Sequence, residues 1–275
     1  MTDIKATYIV PTTGDRGPLL KHAIDSILDQ TIYELEVFII GDGVNNLTRS
    51  IINDICNKDQ RVRFFDHPKH VRRGEPYRHK ALQEAKGEIV CYLIDRDLLL
   101  PNHLELMWKN TRQYNFVKLN SINVFANGEV QFGNLLRFSG SLKDQPKYMH
   151  KDTILPISSV GHTLEFYNRL PIGWDTTPEN TATDRFMWQK FLDHPDCNMV
   201  TDHTPGMLYF KRGSHPGWPT EKRLADTEKW LPYIKEPKLT AKLFELAQNN
   251  IINHRTKLIR EKHRLKRDVE RLSKN

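Results

Sequence analysis

The sequence predicts an α/β protein: a Rossmann-like, mainly parallel sheet with flanking helices, followed by one long basic helix at the C-terminus. Three observations carry that prediction. Short β-rich runs alternate with helix-period segments through the first hundred residues, the pattern of successive βαβ units. Two carboxylates one residue apart, Asp95 and Asp97, close the fourth β-rich run, and open α/β sheets gather their ligands at the carboxyl ends of strands. Phe244, Ile251, Leu258, Leu265 and Leu272 recur every seven residues, one seam of a continuous helix.

Ala6 to Val10 is a short β-rich run closed by Pro11. Pro18 suits the first position of a helix, where its missing N–H costs nothing. Leu19, Leu20, Ala23, Ile24, Ile27 and Leu28 then share one face at helical spacing. Leu35 to Ile40 is a second strand, stopped by Gly41-Asp42-Gly43, and a helix bearing Leu47, Ile51, Ile52 and Ile55 follows. Arg61 to Phe65 is a third strand, Glu75 to Lys86 a third helix, and Ile89 to Ile94 a fourth strand, with a helix opening at Pro101. After residue 115 the pattern changes. Val124 to Ala126 and Val130 to Phe132 flank Asn127-Gly128, a strong hairpin signal. Ser139 to Pro156 is loop-rich, Asp184 to Leu192 reads as a helix, and Gly206 to Phe210 as a strand.

With 38% hydrophobic residues in 275, the chain can bury a real core, which excludes global disorder. No apolar run approaches the ~20 residues that span a bilayer, and Met1 to Lys5 does not resemble a secretory signal. Cys56, Cys91 and Cys197 are odd in number and set among apolar residues. They read as reduced thiols of a cytoplasmic protein, not a disulfide frame or a zinc site. Residues 251–275 hold nine Lys/Arg against three acidic residues, hence six of the seven net positive charges. The basic character belongs to the tail. Its narrow apolar stripe fits packing on the chain's own body, homodimer pairing, or contact with an anionic membrane surface.

In a strand, residues i and i+2 lie on one face, so Asp95 and Asp97 can converge on one ligand. Hard cations such as Mg2+ or Mn2+ commonly bind one or two carboxylates plus substrate phosphates. The pair therefore suggests a metal-held phosphate ester; taken alone, it fits a solvated turn between Ile94 and the helix opening at Pro101 better.

In order along the chain, these motifs resemble a family 2 glycosyltransferase of the GT-A fold, most clearly from Thr7 to Leu106 and more weakly to about Pro219. Tyr8-Ile9-Val10-Pro11-Thr12 is similar to the family's first strand and nucleotide loop, and Ala23 to Thr31 to its first helix. Asp42 stands where the family has an acid contacting the nucleotide base, although Gly41 replaces the first of the usual two aspartates. Gly74, Arg78 and Ala81 to Glu88 resemble the stretch before the metal strand, and Arg78, more than Arg72 or Arg73, is implied at the diphosphate. Asp95-Arg96-Asp97 falls on the family's Asp-x-Asp, which implies nucleotide-sugar contacts from Asp95 and Arg96 and metal ligation by Asp97 and Asp95; Leu98 replaces a further acid. Asp184 occupies the general-base position at a helix start, with Thr183 for the customary Glu and with Asp175 and Glu179 as substitutes. His215 resembles the loop histidine that completes the metal shell; His162 is a weaker candidate, and Trp174 or Trp218 could stack on a sugar.

The resemblance implies an inverting, divalent-metal-dependent enzyme (Mn2+ or Mg2+). It would move sugar from a UDP-, GDP- or dTDP-linked donor to a hydroxyl of a surface polysaccharide or lipid-linked glycan. Residues 1–220 form the transferase domain, with a nucleotide-sugar-binding half (1–115) and an acceptor half (116–220); residues 221–275 form a helical extension. The expected location is cytoplasmic, with peripheral contact at the inner membrane face as an open alternative. A non-catalytic sugar-nucleotide binder or scaffold, a nucleotidyl transferase, and a transferase with a protein or nucleic-acid acceptor also stay open. No interleaved aromatics support the nucleic-acid case.

Overall fold

Four parallel strands side by side build the front of the molecule, in a computed structural model that describes residues 3–133, 139–141 and 155–272. The elements run β1 (Ala6–Gly14), α1 (Gly17–Leu28), β2 (Leu35–Val44), α2 (Asn46–Lys58), β3 (Val62–His67), α3 (Glu75–Leu82), β4 (Ile89–Tyr92), β5 (Leu98–Leu99), α4 (His103–Thr111), β6 (Phe116–Val124), β7 (Val130–Phe132), β8 (Ser139–Ser141), β9 (Val160–Thr163), α5 (Leu164–Asn168), α6 (Thr183–Leu192), β10 (Asn198–Phe210), α7 (Thr220–Glu228), α8 (Leu231–Lys235) and α9 (Pro237–Leu272). The sheet order is β3-β2-β1-β4-β9-β6-β10-β5, with β7 on β6 and β8 on β10. β9 runs antiparallel to both neighbours, while β6 and β10 pair in parallel. The mainly parallel sheet is the one the βαβ spacing predicts.

Alternation along the strands divides the core. Tyr8, Val10, Val37 and Ile39 face α1 and α2, packing on Leu20, Ile24 and Ile52. Ile9, Phe38 and Ile40 face the opposite layer, where α6 contributes Trp188 and Phe191. Both faces of these strands are buried, which is why they read as nearly continuous apolar runs.

Several boundaries differ from the sequence reading. β1 continues past Pro11, pairing Pro11 with Ile40 and Thr12 with Gly41. The proline is tolerated because β4 has already ended: their register stops at Ile9 opposite Tyr92, so no ladder bond is lost on that side. α3 stops at Leu82, four residues short of Lys86. The chain there must dive under β1, and a Cβ on Gly87 would sit 2.3 Å from the Thr7 amide nitrogen. β10 begins at Asn198, eight residues before Gly206, with register shifts around Pro205 that disguise it in the sequence as turn. The Asn127-Gly128 hairpin forms as predicted between β6 and β7. Most of the loop-rich stretch before Pro156 lies outside the described residues.

The long helix α9 splits into two regimes, and its buried anchor lies beside the heptad seam, whose first residue Phe244 is only partly buried. Leu243 and Ala247 are buried against Ile122, Val130 and Trp230, and Asn250 Nδ2 donates to the Val130 carbonyl at 2.8 Å. Beyond that anchor Ile252, Leu258, Leu265 and Val269 are half-exposed or more. No described helix is long and apolar enough to cross a membrane.

Two imidazoles are locked in the core. His162 donates from Nδ1 to the Thr163 carbonyl and takes a hydrogen bond at Nε2 from the Tyr92 hydroxyl, 2.8 Å away; His103 Nδ1 lies 2.9 Å from the Tyr8 hydroxyl. Burial depresses His162 to about 4 and His103 to about 3. The unfolded chain therefore takes up protons first as pH falls below about 6.5, and the folded state loses stability progressively from there toward pH 4. Each imidazole contributes on the order of 3 kcal/mol to that loss. The urea midpoint should be flat above pH 7 and fall clearly between pH 6.5 and 5; a midpoint unchanged over that window would contradict neutral, buried rings.

Candidate functional site

The carboxyl ends of β1, β2 and β4, with the loop after β3, converge on one cleft of about 320 Å³. Its walls carry Pro11, Thr12, Thr13 and Arg16 from the end of β1, Asp42 from β2, Lys69 and Arg73 from the loop, Arg78 from α3, and Ile94, Asp95 and Arg96 after β4. A second cleft of about 190 Å³ adjoins it, sharing Pro11, Arg73, Arg78, Ile94 and Arg96, and is completed by Ile157, Thr183, Asp184 and Tyr209.

The β1 exit holds the strand after β4. Thr12 Oγ1 donates to Asp95 Oδ2 at 3.1 Å, and Arg16 Nη1 donates to Asp95 Oδ1 at 3.0 Å. Asp42 is 5% exposed; it accepts from the His70 amide at 2.5 Å and from Lys69 Nζ. Gly43 and Gly74 both take φ of +66°, and a Cβ on Gly43 would strike Lys69 at 2.6 Å. Glycine at 43 thus lets the Lys69 loop close over Asp42. At Gly41 a Cβ would meet the Phe64 ring at 2.9 Å, so an aromatic side chain from β3 fills the place of the family's first aspartate.

Arg78 is the most unusual group in the site. It is 4% exposed, its guanidinium lies 4.7 Å over the Trp174 ring, and Nη2 donates to the Arg73 carbonyl at 2.7 Å. Nε and Nη1 are buried without a partner, as is Arg96 Nε. Burial lowers the Arg78 guanidinium to about 10, and the nearby Glu75 carboxylate resists that fall. It stays cationic at neutral pH. A buried cation with open donors costs free energy unless an anion completes it. Trp174 is fixed behind it by donating from Nε1 to the Tyr92 hydroxyl at 3.1 Å. It is 2% exposed, so no face of its ring is open to a sugar.

Asp184 is half-buried in the first turn of α6, with Oδ1 accepting from the Arg185 amide at 3.0 Å. Ala182, not Asp184, is the residue at the helix cap. Among the described lining residues of the second cleft, Asp184 is the one acid. Asp175 and Glu179 are exposed and line neither cleft.

The structure does not gather the metal ligands that the sequence reading groups together. Asp97 has no exposure; its oxygens accept from Ser158 Oγ at 2.7 Å and the Phe210 amide at 3.0 Å. Burial pushes its carboxyl up to about 6, against the pull of Arg96. His215 is buried against α7, with Nδ1 3.0 Å from the Lys211 carbonyl and Nε2 3.4 Å from Asp226. Only Asp95 of the three faces the cleft, and Arg16 holds it there. Among the described residues no group of three His, Cys, Asp or Glu could hold a metal ion. As placed, Asp95, Asp97 and His215 do not face one ion together.

Three cleft residues escape sequence reasoning, Arg16, Lys69 and Tyr209, while Arg73, placed second to Arg78 by the sequence, lines both clefts. Glu75, wholly buried behind the clefts, escapes it as well; it accepts from the Arg73 amide at 2.9 Å and from Thr183 Oγ1 at 3.2 Å, tying the arginine loop to the start of α6. Arg72 serves as a staple, donating to the Thr177 and Pro178 carbonyls. His162 is a core residue, and Trp218 lies under Lys222, outside both clefts.

Fold and site together define an α/β protein with a cationic cleft where its parallel strands end. Residues 7–192 match glycosyl transferase family 2, and the chain belongs to that family. A Campylobacter jejuni protein, GalNAc(5)-diNAcBac-PP-undecaprenol beta-1,3-glucosyltransferase, is 31% identical over 168 residues, covering 60% of this chain and 52% of that one. The Pasteurella multocida hyaluronan synthase is 32% identical over 90 residues, 33% of this chain and 9% of that one. This chain thus spans about half the length, or less, of these curated relatives. Among solved structures, S. aureus TarS in complex with UDP-GlcNAc superposes with a TM-score of 0.59 at 15% identity, over 79% of this chain and 60% of that one. The mannosyltransferase PcManGT from Pyrobaculum calidifontis, in complex with GDP-Man and Mn2+, gives 0.53 at 16% identity, over 88% and 73%. These likenesses establish the GT-A fold.

Proposed function

We propose that this chain is an inverting glycosyltransferase that takes a nucleoside-diphosphate sugar in the larger cleft and an acceptor hydroxyl in the smaller one. The observation that carries the reading is the buried, open-donor Arg78, which lines both clefts beside Arg96 and Arg73. A diphosphate over these arginines puts the nucleoside toward Asp42 and Asp95 and the anomeric carbon toward Asp184. Asp42 accepts an N–H of the base once Lys69 shifts, and Asp95 accepts a ribose hydroxyl. Asp184 takes the acceptor proton as its oxygen attacks, and attack from the face opposite the leaving group inverts the centre. No step here runs through a metal.

The acceptor class we favour is a surface polysaccharide or lipid-linked glycan, in keeping with the undecaprenol-linked substrate in the C. jejuni relative's name. The exposed, basic half of α9 suits an anionic membrane face, each nearby Lys or Arg adding about 1 kcal/mol. A thermal-shift screen of UDP, GDP and dTDP, followed by release of the matching diphosphate from its sugar esters, tests the proposal. One nucleotide should raise Tm, and its sugar ester should be cleaved or transferred. Donor binding with no turnover, even with lipid-linked acceptors, would leave a sugar-nucleotide binder instead.

A further inference from the structure

We infer that this chain meets the charge of the departing diphosphate with its own cations, Arg16, Lys69, Arg73, Arg78 and Arg96, in place of a divalent ion at Asp95 and Asp97. The inference rests on the nucleoside-diphosphate reading above and concerns how that same cleft handles charge. A hard divalent ion in such a cleft is commonly held by one or two carboxylates together with substrate phosphates, so the protein's share depends on how Asp95 and Asp97 are turned. Asp97 is wholly buried, and turning either of its oxygens toward the cleft would strand the Ser158 hydroxyl or the Phe210 amide. Asp95 reaches the cleft with Oδ1 against Arg16 and Oδ2 against Thr12. His215, the remaining candidate, is turned into the protein against Asp226.

The cationic side of the balance is built. Five Arg and Lys side chains line the larger cleft against two carboxylates, Asp42 and Asp95. Those carboxylates engage Lys69 and Arg16, while Arg73, Arg78 and Arg96 at the junction of the clefts form no ion pair with a carboxylate among the described contacts, Glu75 acting on Arg78 and Asp97 on Arg96 only through space. Arg78 and Arg96 each hold a buried N–H group without an acceptor. In the reaction the acceptor oxygen bonds to the anomeric carbon and its proton passes to Asp184. The bond from that carbon to the diphosphate breaks, and its electron pair leaves with the nucleoside diphosphate, which gains one negative charge. Guanidinium groups meet phosphate oxygens through paired, charge-assisted hydrogen bonds, and those preset on a rigid wall need no reorganisation as the charge grows.

The test is calorimetric titration of the full chain with UDP, GDP and dTDP, in EDTA and then with millimolar Mn2+ or Mg2+. One nucleoside diphosphate should bind in EDTA, with Kd changed less than about fivefold by either metal. In EDTA, Arg96→Gln should weaken that binding about tenfold or more, while Asp97→Asn should leave it within about fivefold. Binding that requires the metal, or tightens about fivefold or more with it, overturns the inference and leaves the nucleotide reading standing. Unchanged affinity in Arg96→Gln also overturns it. Failure of all three nucleotides under both conditions sinks both readings together.

Discussion

Asn in place of Asp184 is expected to lower the turnover of sugar transfer by about 10³-fold, with nucleoside-diphosphate binding unchanged within about twofold. The substitution is close to isosteric and keeps an oxygen for the Arg185 amide, which Asp184 Oδ1 accepts at 3.0 Å. The start of α6 should survive because Ala182 occupies the cap. What disappears is the one acid among the described residues lining the smaller cleft. Single-turnover transfer with saturating donor reads the chemical step alone, and a rate within about fivefold of the unmodified protein would show that another group accepts the proton.

Arg78→Met should separate binding from stability in opposite directions. The guanidinium is buried, has two nitrogens without acceptors and is held near a pKa of about 10. That depression corresponds to about 3 kcal/mol of net unfavourable desolvation in the ligand-free protein. Methionine has similar length, can stay in contact with Trp174 and carries no charge to desolvate. The variant should therefore lose nucleoside-diphosphate binding by about 100-fold while its Tm rises by several degrees. A variant that binds normally would remove Arg78 from the diphosphate site. One that unfolds early would make its role structural.

Much of this architecture was legible because it rests on local pattern. Runs such as Leu35 to Ile40 are buried on both faces, and Asn127-Gly128 fixes its turn through the backbone freedom of Gly128 at φ +80°. β9, only four residues long, was not legible, because its antiparallel place between β4 and β6 follows from the tertiary fold. For the site, Pro11, Thr12, Asp42, Arg78, Asp95 and Arg96, named from the sequence, line one cleft, and Asp184 lines the cleft beside it. The i, i+2 spacing of Asp95 and Asp97 suggested convergence on one ligand, yet the chain turns after Tyr92 and sends Asp97 inward to Ser158 and the Phe210 amide. Arg16 and Lys69 lie on loops whose approach to Asp95 and Asp42 no spacing rule reports. Glu75 escapes for the same reason, since its partner Thr183 is 108 positions away.

The contact between Gly41 and Phe64 constrains how this cleft can be redesigned. A second acid beside Asp42, installed by changing position 41, requires the Phe64 ring to give way, because the new Cβ arrives 2.9 Å from an aromatic carbon of the neighbouring strand. Trimming Phe64 first opens the room, but leaves a hole in the apolar layer until the acid is added. The two positions are therefore coupled, and a library aimed at this pocket should vary them together.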